Sequence, residues 1–322
     1  MKKVLIITTG GTIVSEQGDN GLVPKMGAEA LISLVPGIAA LCNVSCIEVL
    51  NIDSSNIVPA HWSLIAQSIA KNYYDFDGFV ITHGTDTMAY SASALTYMLR
   101  NLAKPVILTG SQIPISDAAT DGKRNIYDAF CAAVSDMCGV FIVFDGKIIK
   151  GDCAKKMHTR SFNAFYSVNL PYIGIIKDGA VLSEECRAKP CSDFNCMPNI
   201  ESRVLQLKLL PGMSGDIVSF AVCRGYRGII IEGFGAGGIP GSDASLYESL
   251  KNAVSAGIPV VCTSQCIYDG VDLTKYEPGM EALKSGALSA GQMTSEAAAA
   301  KLMWAIGNAA SYDEIAELFA NV

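Results

Sequence analysis

The sequence predicts an α/β protein, with a larger N-terminal domain built on a mainly parallel sheet flanked by helices and a smaller C-terminal α/β domain after it. Short β-branched runs alternate with longer segments of helical period, the pattern of a parallel sheet covered on both faces. The same alternation resumes in smaller form after a polar stretch beyond the middle of the chain. Half of the 322 residues are hydrophobic and only 17% are charged, which excludes disorder and leaves enough apolar surface for a sizeable core.

Five runs read as strands in the first half: residues 4–9, 44–51, 78–82, 105–109 and 139–144. The last continues through Asp145-Gly146, a strong hairpin turn, into a strand at 147–150. Between them Trp62, Ile65, Ala66, Ile69 and Tyr73 recur at helical spacing, as do Met88, Ala92, Leu95 and Leu99, and both sets read as plain core faces. The polar stretch at 183–202 carries Pro190, Pro198 and three cysteines without a period, so a linker is expected at 186–203, between an N-terminal domain at 1–185 and a C-terminal one at 204–322. Strands at 204–210, 228–232 and 259–263 and helices near 243–256 and 296–310 complete the second domain.

Composition narrows the function. A net charge of -7 leaves no excess of Lys and Arg to displace counterions along a phosphate backbone, so nucleic acid is not an expected partner. Only four apolar residues, Val4 to Ile7, follow Met1-Lys2-Lys3, too few for an export signal, and no apolar run approaches the roughly 18 residues of a membrane span. A cytoplasmic protein without membrane association is expected. Eleven cysteines, an odd number, fit buried free thiols in a reducing compartment. Cys186, Cys191 and Cys196 lack the C-x-x-C spacing and the nearby histidine of a zinc site, and neither a metal nor a cofactor is expected.

In parallel α/β sheets ligands bind at the carboxyl ends of strands. Four consecutive strands end in polar loops: Thr8-Thr9-Gly10-Gly11-Thr12, Asn51-Ile52-Asp53-Ser54-Ser55-Asn56, Thr82-His83-Gly84-Thr85-Asp86-Thr87 and Thr109-Gly110-Ser111-Gln112. A hydroxyl at a helix N-terminus, a carboxylate and a lysine together can make an activated nucleophile. Thr85 and Asp86 are expected to open a helix, and the same pair also reads as an N-cap with a dipole-matching acid.

Thr9-Gly10-Gly11-Thr12-Ile13 and His83-Gly84-Thr85-Asp86-Thr87-Met88 resemble the two signature motifs of the bacterial-type L-asparaginases, and the chain resembles their cytoplasmic, type I branch most. The likeness continues through Asp53-Ser54-Ser55, Thr109-Gly110-Ser111-Gln112-Ile113-Pro114 and Gly235-Ala236-Gly237-Gly238-Ile239-Pro240. It implies a cofactor-free amidohydrolase that converts L-asparagine and water to L-aspartate and ammonia by double displacement through a threonine acyl-enzyme. Thr12 matches the nucleophile of that family, and Thr85, Asp86 and a lysine match its proton-shuttling set. Of Lys155 and Lys156, the motif Lys156-Met157-His158 leading into Phe162-Asn163-Ala164-Phe165 aligns best when Lys156 is catalytic.

The resemblance further implies a substrate site at Asp53, Ser54, Ser55, Gly84, Thr85, Asp86 and Ser111. Ser54 would bind the α-carboxylate and Asp86 the α-amino group, Ser55 would stand where other members use glutamine, and Ser111 would line the pocket near the amide. It also implies a homodimer or homotetramer. Where several branches place a tyrosine in the loop after the first motif, this sequence has Leu22; the polar segment 15–20 reads as a closing lid and Leu22 as a residue that excludes water.

Other chemistries are weighed on the same residues. Gly233-x-Gly235-x-x-Gly238 matches the dinucleotide fingerprint, but Pro240 and Gly241 delay the helix and the next strand ends in Thr263-Ser264 rather than an acid. With three histidines, His61, His83 and His158, and no G-x-S-x-G turn, a Ser-His-Asp hydrolase is disfavoured; His83 is expected to orient or pack, and the other two to be structural. An amino-acid sensor of the same fold is disfavoured by the full set Thr12, Thr85, Asp86 and Lys156. A related tRNA-dependent amidotransferase component is disfavoured because the chain opens at its first strand.

Overall fold

The computed structural model describes residues 1–18, 21–24, 28–183, 190–241 and 244–321. They form two compact units, Met1–Pro198 and Asn199–Val322.

The first unit is built on an eight-stranded sheet. In spatial order its strands are Ala180–Ser183, Gly174–Lys177, Lys147–Lys150, Gly139–Phe144, Pro105–Thr109, Gly78–Thr82, Lys3–Gly10 and Asn43–Ile52. The last five named, from Gly139–Phe144 to Asn43–Ile52, run parallel. The three at the other edge pair antiparallel, Lys147–Lys150 in a hairpin with Gly139–Phe144, and Gly174–Lys177 and Ala180–Ser183 in a second hairpin laid against Lys147–Lys150. Gly78–Thr82 and Pro105–Thr109 are buried along their whole length, which is why they read as unbroken apolar runs. Asp145 and Gly146 take φ values of 50° and 72°, the left-handed pair that the expected tight hairpin needs. The Gly174–Lys177 and Ala180–Ser183 hairpin escapes the sequence reading because its strands are short and leave Ile175 and Leu182 exposed, so no clean alternation marks them.

Helices cover the sheet. Pro59–Asn72 buries Trp62, Ile65, Ala66 and Ile69, and Met88–Met98 is buried along most of its length. Gly122–Ala133 packs Ile126, Ala129 and Phe130 into a core with Val4, Ile6, Val80 and Ile107. Residues 190–198 lie on this unit: Asn195 pairs with Arg100 and Cys196 with Leu99, and Phe194 stacks on Tyr73 with ring centroids 3.9 Å apart. Of the three clustered cysteines, Cys191 is exposed and Cys196 half-buried, while Cys186 lies outside the described residues.

The second unit holds four parallel strands in chain order, Val204–Lys208, Gly228–Gly233, Val260–Ser264 and Leu288–Ser289. Its helices include Ala244–Ser255 and Ser295–Asn308, the latter capped by the Thr294 hydroxyl, which accepts the Ala297 N–H at 3.0 Å. No helix among the described residues is long and apolar enough to cross a membrane.

One buried acid in the first unit sets a pH dependence of stability. The Asp128 side chain is 7% exposed; its Oδ2 lies 3.5 Å from Arg124 Nε and finds no hydrogen-bond partner among the described residues. Burial lifts its carboxyl from 3.8 to about 6, against the pull of Arg124. The neutral form is therefore favoured on folding, and stability is lost as pH rises from about 4 to about 6, by up to about 3 kcal/mol. Asp128→Asn is expected to raise Tm by a few degrees at pH 7.5 and by much less at pH 4. Thermal denaturation at the two pH values checks this, and an equal effect at both would contradict it.

Candidate active site

The five parallel strands are ordered, by their place in the chain, second, first, third, fourth, fifth. Chain direction across the sheet reverses between Lys3–Gly10 and Gly78–Thr82, the switch point beyond whose carboxyl ends parallel α/β sheets bind ligands. Two glycines bring the loops after these strands together. Gly11 has a φ of +86°, and a Cβ built on it would lie 2.4 Å from the Gly84 backbone nitrogen. A Cβ on Gly84 would lie 2.5 Å from Ser54 Oγ. The loops of the first three strands thus meet at glycines, backbone on backbone between Gly11 and Gly84 and the Ser54 side chain on Gly84.

Gly11→Ala combines a disfavoured φ with a backbone clash and is expected to destabilise the fold by more than about 2 kcal/mol. Urea denaturation measures it, and a loss below about 0.5 kcal/mol would contradict this reading of the contact.

Thr12 follows directly and opens a one-turn 3-10 helix, Thr12–Val14, half-buried. The Ile13 carbonyl accepts the Ile115 N–H at 3.2 Å, which ties this turn to the loop after the fourth strand. Thr85 and Asp86 do not open the next helix as the sequence suggested. The helix starts at Met88, with Thr87 at the cap position and no side-chain cap bond. Thr87 instead donates its hydroxyl to the Ser54 carbonyl at 2.8 Å, pinning the loop after the third strand to the one after the second. Thr85 and Asp86 therefore sit in the turn before the helix, which takes away their reading as cap and first-turn acid.

Lys156 ends the short strand Ala154–Lys156, paired antiparallel with Phe165–Ser167. Neighbouring residues of a strand point to opposite faces, so only one of the two lysines can face Thr85. Lys156 is that one: its Nζ donates to Thr85 Oγ1 at 2.8 Å and to Asp86 Oδ1 at 2.6 Å. Thr85 Oγ1 in turn donates to Gln112 Oε1 at 3.2 Å. Thr85 is buried, while the side chains of Lys156 and Asp86 are 16% and 63% exposed. An ion pair this open is worth about 0–1 kcal/mol, too little for stability alone to explain it.

The remaining expected residues stand around this cluster with some of their hydrogens already used. Asp53 Oδ1 accepts both the N–H and the hydroxyl of Ser55, at 2.8 and 2.5 Å, so Ser55 has only lone pairs left to offer. Ser54 is buried, and Ser111, also buried, donates its hydroxyl to the Ile113 carbonyl at 2.6 Å.

Two residues of this neighbourhood had no role in the sequence reading. Gln112 receives the Thr85 hydroxyl and donates to the Ser161 carbonyl at 3.1 Å. Asp121 is buried and accepts the backbone N–H groups of Gln112 and Ile113 and the Asn125 amide, at 3.0 to 3.1 Å. Gln112 stands inside a family-like motif, which was signal enough to single it out; Asp121 lies in an aperiodic stretch that gave none.

Two family models match the chain in succession, "Asparaginase, N-terminal" over residues 3–187 and "Glutaminase/Asparaginase C-terminal domain" over residues 203–319. The chain belongs to the asparaginase family. It is 38% identical to an L-asparaginase of Thermococcus kodakarensis, over 98% of this chain and 96% of that one. The solved structure of the thermostable L-asparaginase from that organism superposes with a TM-score of 0.92 at 36% identity, covering 99% and 97% of the two chains. L-asparaginase I from Vibrio cholerae superposes with a TM-score of 0.90 at 34% identity, covering 100% of this chain and 97% of that one. A glutamyl-tRNA(Gln) amidotransferase chain of Pyrococcus abyssi is 36% identical over 99% of this chain and 75% of its own.

For this asparaginase-family chain the dinucleotide reading loses its structural basis. Gly233–Gly238 forms a closed loop in which Phe234 bridges to Gly238, and a Cβ on Gly233 would lie 2.8 Å from the Gly238 carbonyl oxygen. Gly233 packs against the backbone of Gly237 and Gly238, and no helix starts within the motif. Among the described residues no group of three or more His, Cys, Asp and Glu side chains could hold a metal ion. The expected lid maps onto two paired strands, Ser15–Gly18 and Gly21–Pro24, with Gln17 opposite Leu22; the Leu22 side chain and residues 19 and 20 lie outside what the structure describes.

Proposed function

We propose that this chain is an L-asparaginase of the cytoplasmic type I kind, hydrolysing L-asparagine to L-aspartate and ammonia with Thr12 as nucleophile. The observation that carries this reading is the meeting of Lys156 Nζ with Thr85 Oγ1 at 2.8 Å and Asp86 Oδ1 at 2.6 Å, across about seventy residues of chain. A lysine held by a carboxylate and bonded to a hydroxyl can pass protons without a histidine.

As Thr12 Oγ attacks the side-chain amide carbon its hydroxyl proton passes to the Thr85–Lys156 chain; an ester bond forms, the C–N bond breaks, and the same chain returns that proton to the leaving nitrogen, which departs as ammonia. Water then attacks the ester carbon, gives up a proton along the same chain, and releases aspartate as Thr12 regains its hydroxyl. No cofactor enters either half-reaction. Ser54 holds the substrate α-carboxylate, helped by the Thr87 bond that fixes its backbone. The 63% exposure of Asp86 supports its second role, holding the α-ammonium group. Asp53 and Ser55 shape this end of the site, and Gly84 and Ser111 line it. We propose further that the chain works as a homodimer or homotetramer.

Coupled measurement of ammonia from asparagine and glutamine in parallel tests the reading. Saturable release from asparagine is expected. No release from either amide at millimolar concentration would overturn it. The ratio between the two is an outcome of the assay, because one methylene in a pocket is worth only about 1–3 kcal/mol. A second reading comes from the relatives named as glutamyl-tRNA(Gln) amidotransferase chains. Release of ammonia from free asparagine by this chain alone favours the first reading over the second.

A further inference from the structure

His83 takes no part in the proton path above, yet it is fully buried two residues before Thr85. Both ring nitrogens are engaged: Nδ1 lies 2.7 Å from the Gly84 carbonyl oxygen and Nε2 lies 2.8 Å from Ser91 Oγ. Ser91 Oγ also accepts the indole N–H of Trp62 at 2.9 Å. The chemistry of the end groups assigns every proton. A carbonyl only accepts, so Nδ1 carries a hydrogen; an indole only donates, so Ser91 keeps its own O–H for Nε2, which accepts it. Burial, which pushes this imidazole down to about 4, agrees with a neutral ring. The chain of bonds runs from the Pro59–Asn72 helix through the Met88–Met98 helix to the loop after Gly78–Thr82.

Its last member is a glycine that has to be a glycine. Gly84 is wedged bare between Gly11 and Ser54, so it has no side chain with which to anchor its own backbone. The hydrogen bond to its carbonyl supplies that anchor and fixes the plane of the Gly84–Thr85 peptide.

We propose that His83 is a positioning residue for the Thr85–Lys156 pair, aiming the Thr85 hydroxyl through the Gly84 carbonyl, with Ser91 and Trp62 holding the ring in its Nδ1–H form. The proposal rests on the hydrolase reading given above and deepens it. It asks more of His83 than packing, since a buried histidine that merely fills space would tolerate either tautomer and would leave the aim of Thr85 unchanged.

Two measurements on the full chain test it. Nitrogen-15 NMR of histidine-labelled protein is expected to show one of the three histidines protonated at Nδ1 and bare at Nε2 across neutral pH. An Nε2–H form for His83 would overturn the proposal whatever the turnover. In steady-state kinetics on asparagine, His83→Leu is expected to lower kcat about tenfold with KM within about twofold, because aim is lost and substrate contacts are not. His83→Asn, whose amide N–H stands where Nδ1–H stood, is expected to recover most of kcat.

Equal losses in the two variants with native-like circular dichroism, or a change confined to KM, would overturn the proposal. If His83→Leu does not fold, Ser91→Ala replaces it: the Gly84 carbonyl still holds the proton on Nδ1, the ring loses its outer bond, and kcat is expected to fall several-fold with KM within about twofold; an unchanged kcat would overturn the proposal. A wild-type chain that releases no ammonia would remove the hydrolase reading and this proposal together, which the wild-type assay reads before any variant is made.

Discussion

Thr12→Ala is expected to lower kcat on asparagine by about a thousandfold or more, a barrier increase of about 4 kcal/mol. The size follows from the role. Losing a nucleophile removes the covalent route itself, and what survives is binding and charge stabilisation with a water in place of the hydroxyl. KM should change little, since Thr12 is not among the groups assigned to the carboxylate and ammonium of the substrate. Folding should survive as well, because Thr12 is half-buried in a single 3-10 turn held by the Ile13 to Ile115 bond. Steady-state ammonia release on the purified variant checks the prediction. A loss below about tenfold, about 1.4 kcal/mol, would move the attacking role to Thr85.

Lys156→Met is expected to lower kcat by about a hundredfold or more while leaving the melting temperature within a few degrees of wild type. The two halves of this expectation have different causes. The methionine keeps the length and the apolar stem of the lysine, and the lost ion pair, with Asp86 63% exposed, was worth about 1 kcal/mol at most. The same change leaves Thr85 without its proton partner, and positioned proton transfer contributes about a hundredfold to ten-thousandfold. Lys155→Met is the matched control. Lys155 pairs with Tyr166 on the neighbouring position of the strand, and its replacement is expected to leave kcat within about twofold. Equal losses at the two positions would show that the assignment of the lysine is wrong.

The sequence was most legible where one physical signal dominated. The buried parallel strands Gly78–Thr82, Pro105–Thr109 and Gly139–Phe144 were expected at their observed ends, because unbroken β-branched runs between turn residues have few other readings. Asp145-Gly146 marked its hairpin through the left-handed backbone that both residues accept. Strand ends in the second unit were less sharp: the run expected to 210 stops at Lys208, and the helix expected near 296–310 is Ser295–Asn308.

The Thr85-Asp86 pair shows where local reading misleads. By sequence both residues suit a cap and a first turn, and only the bond from Thr87 to Ser54, 33 residues away, shows that the turn is spent on joining two loops. Gln112 and Asp121 illustrate the same limit from the other side. Their part in the neighbourhood of Thr85 consists of hydrogen bonds to backbone groups, one hydroxyl and one side-chain amide, which neither periodicity nor composition encodes. The choice of Lys156 over Lys155 rested on resemblance alone. Its physical reason, the alternation of side chains along Ala154–Lys156, needs the strand to be known first.

The most direct test of the account is to catch the covalent intermediate. Wild-type protein mixed with asparagine, quenched in acid within the first turnovers and digested with trypsin, should yield a peptide spanning residues 4–25 that is heavier by one aspartyl group, with the added mass on Thr12. An aspartyl group on the peptide that holds Thr85, or steady ammonia release with neither peptide ever modified, would contradict it.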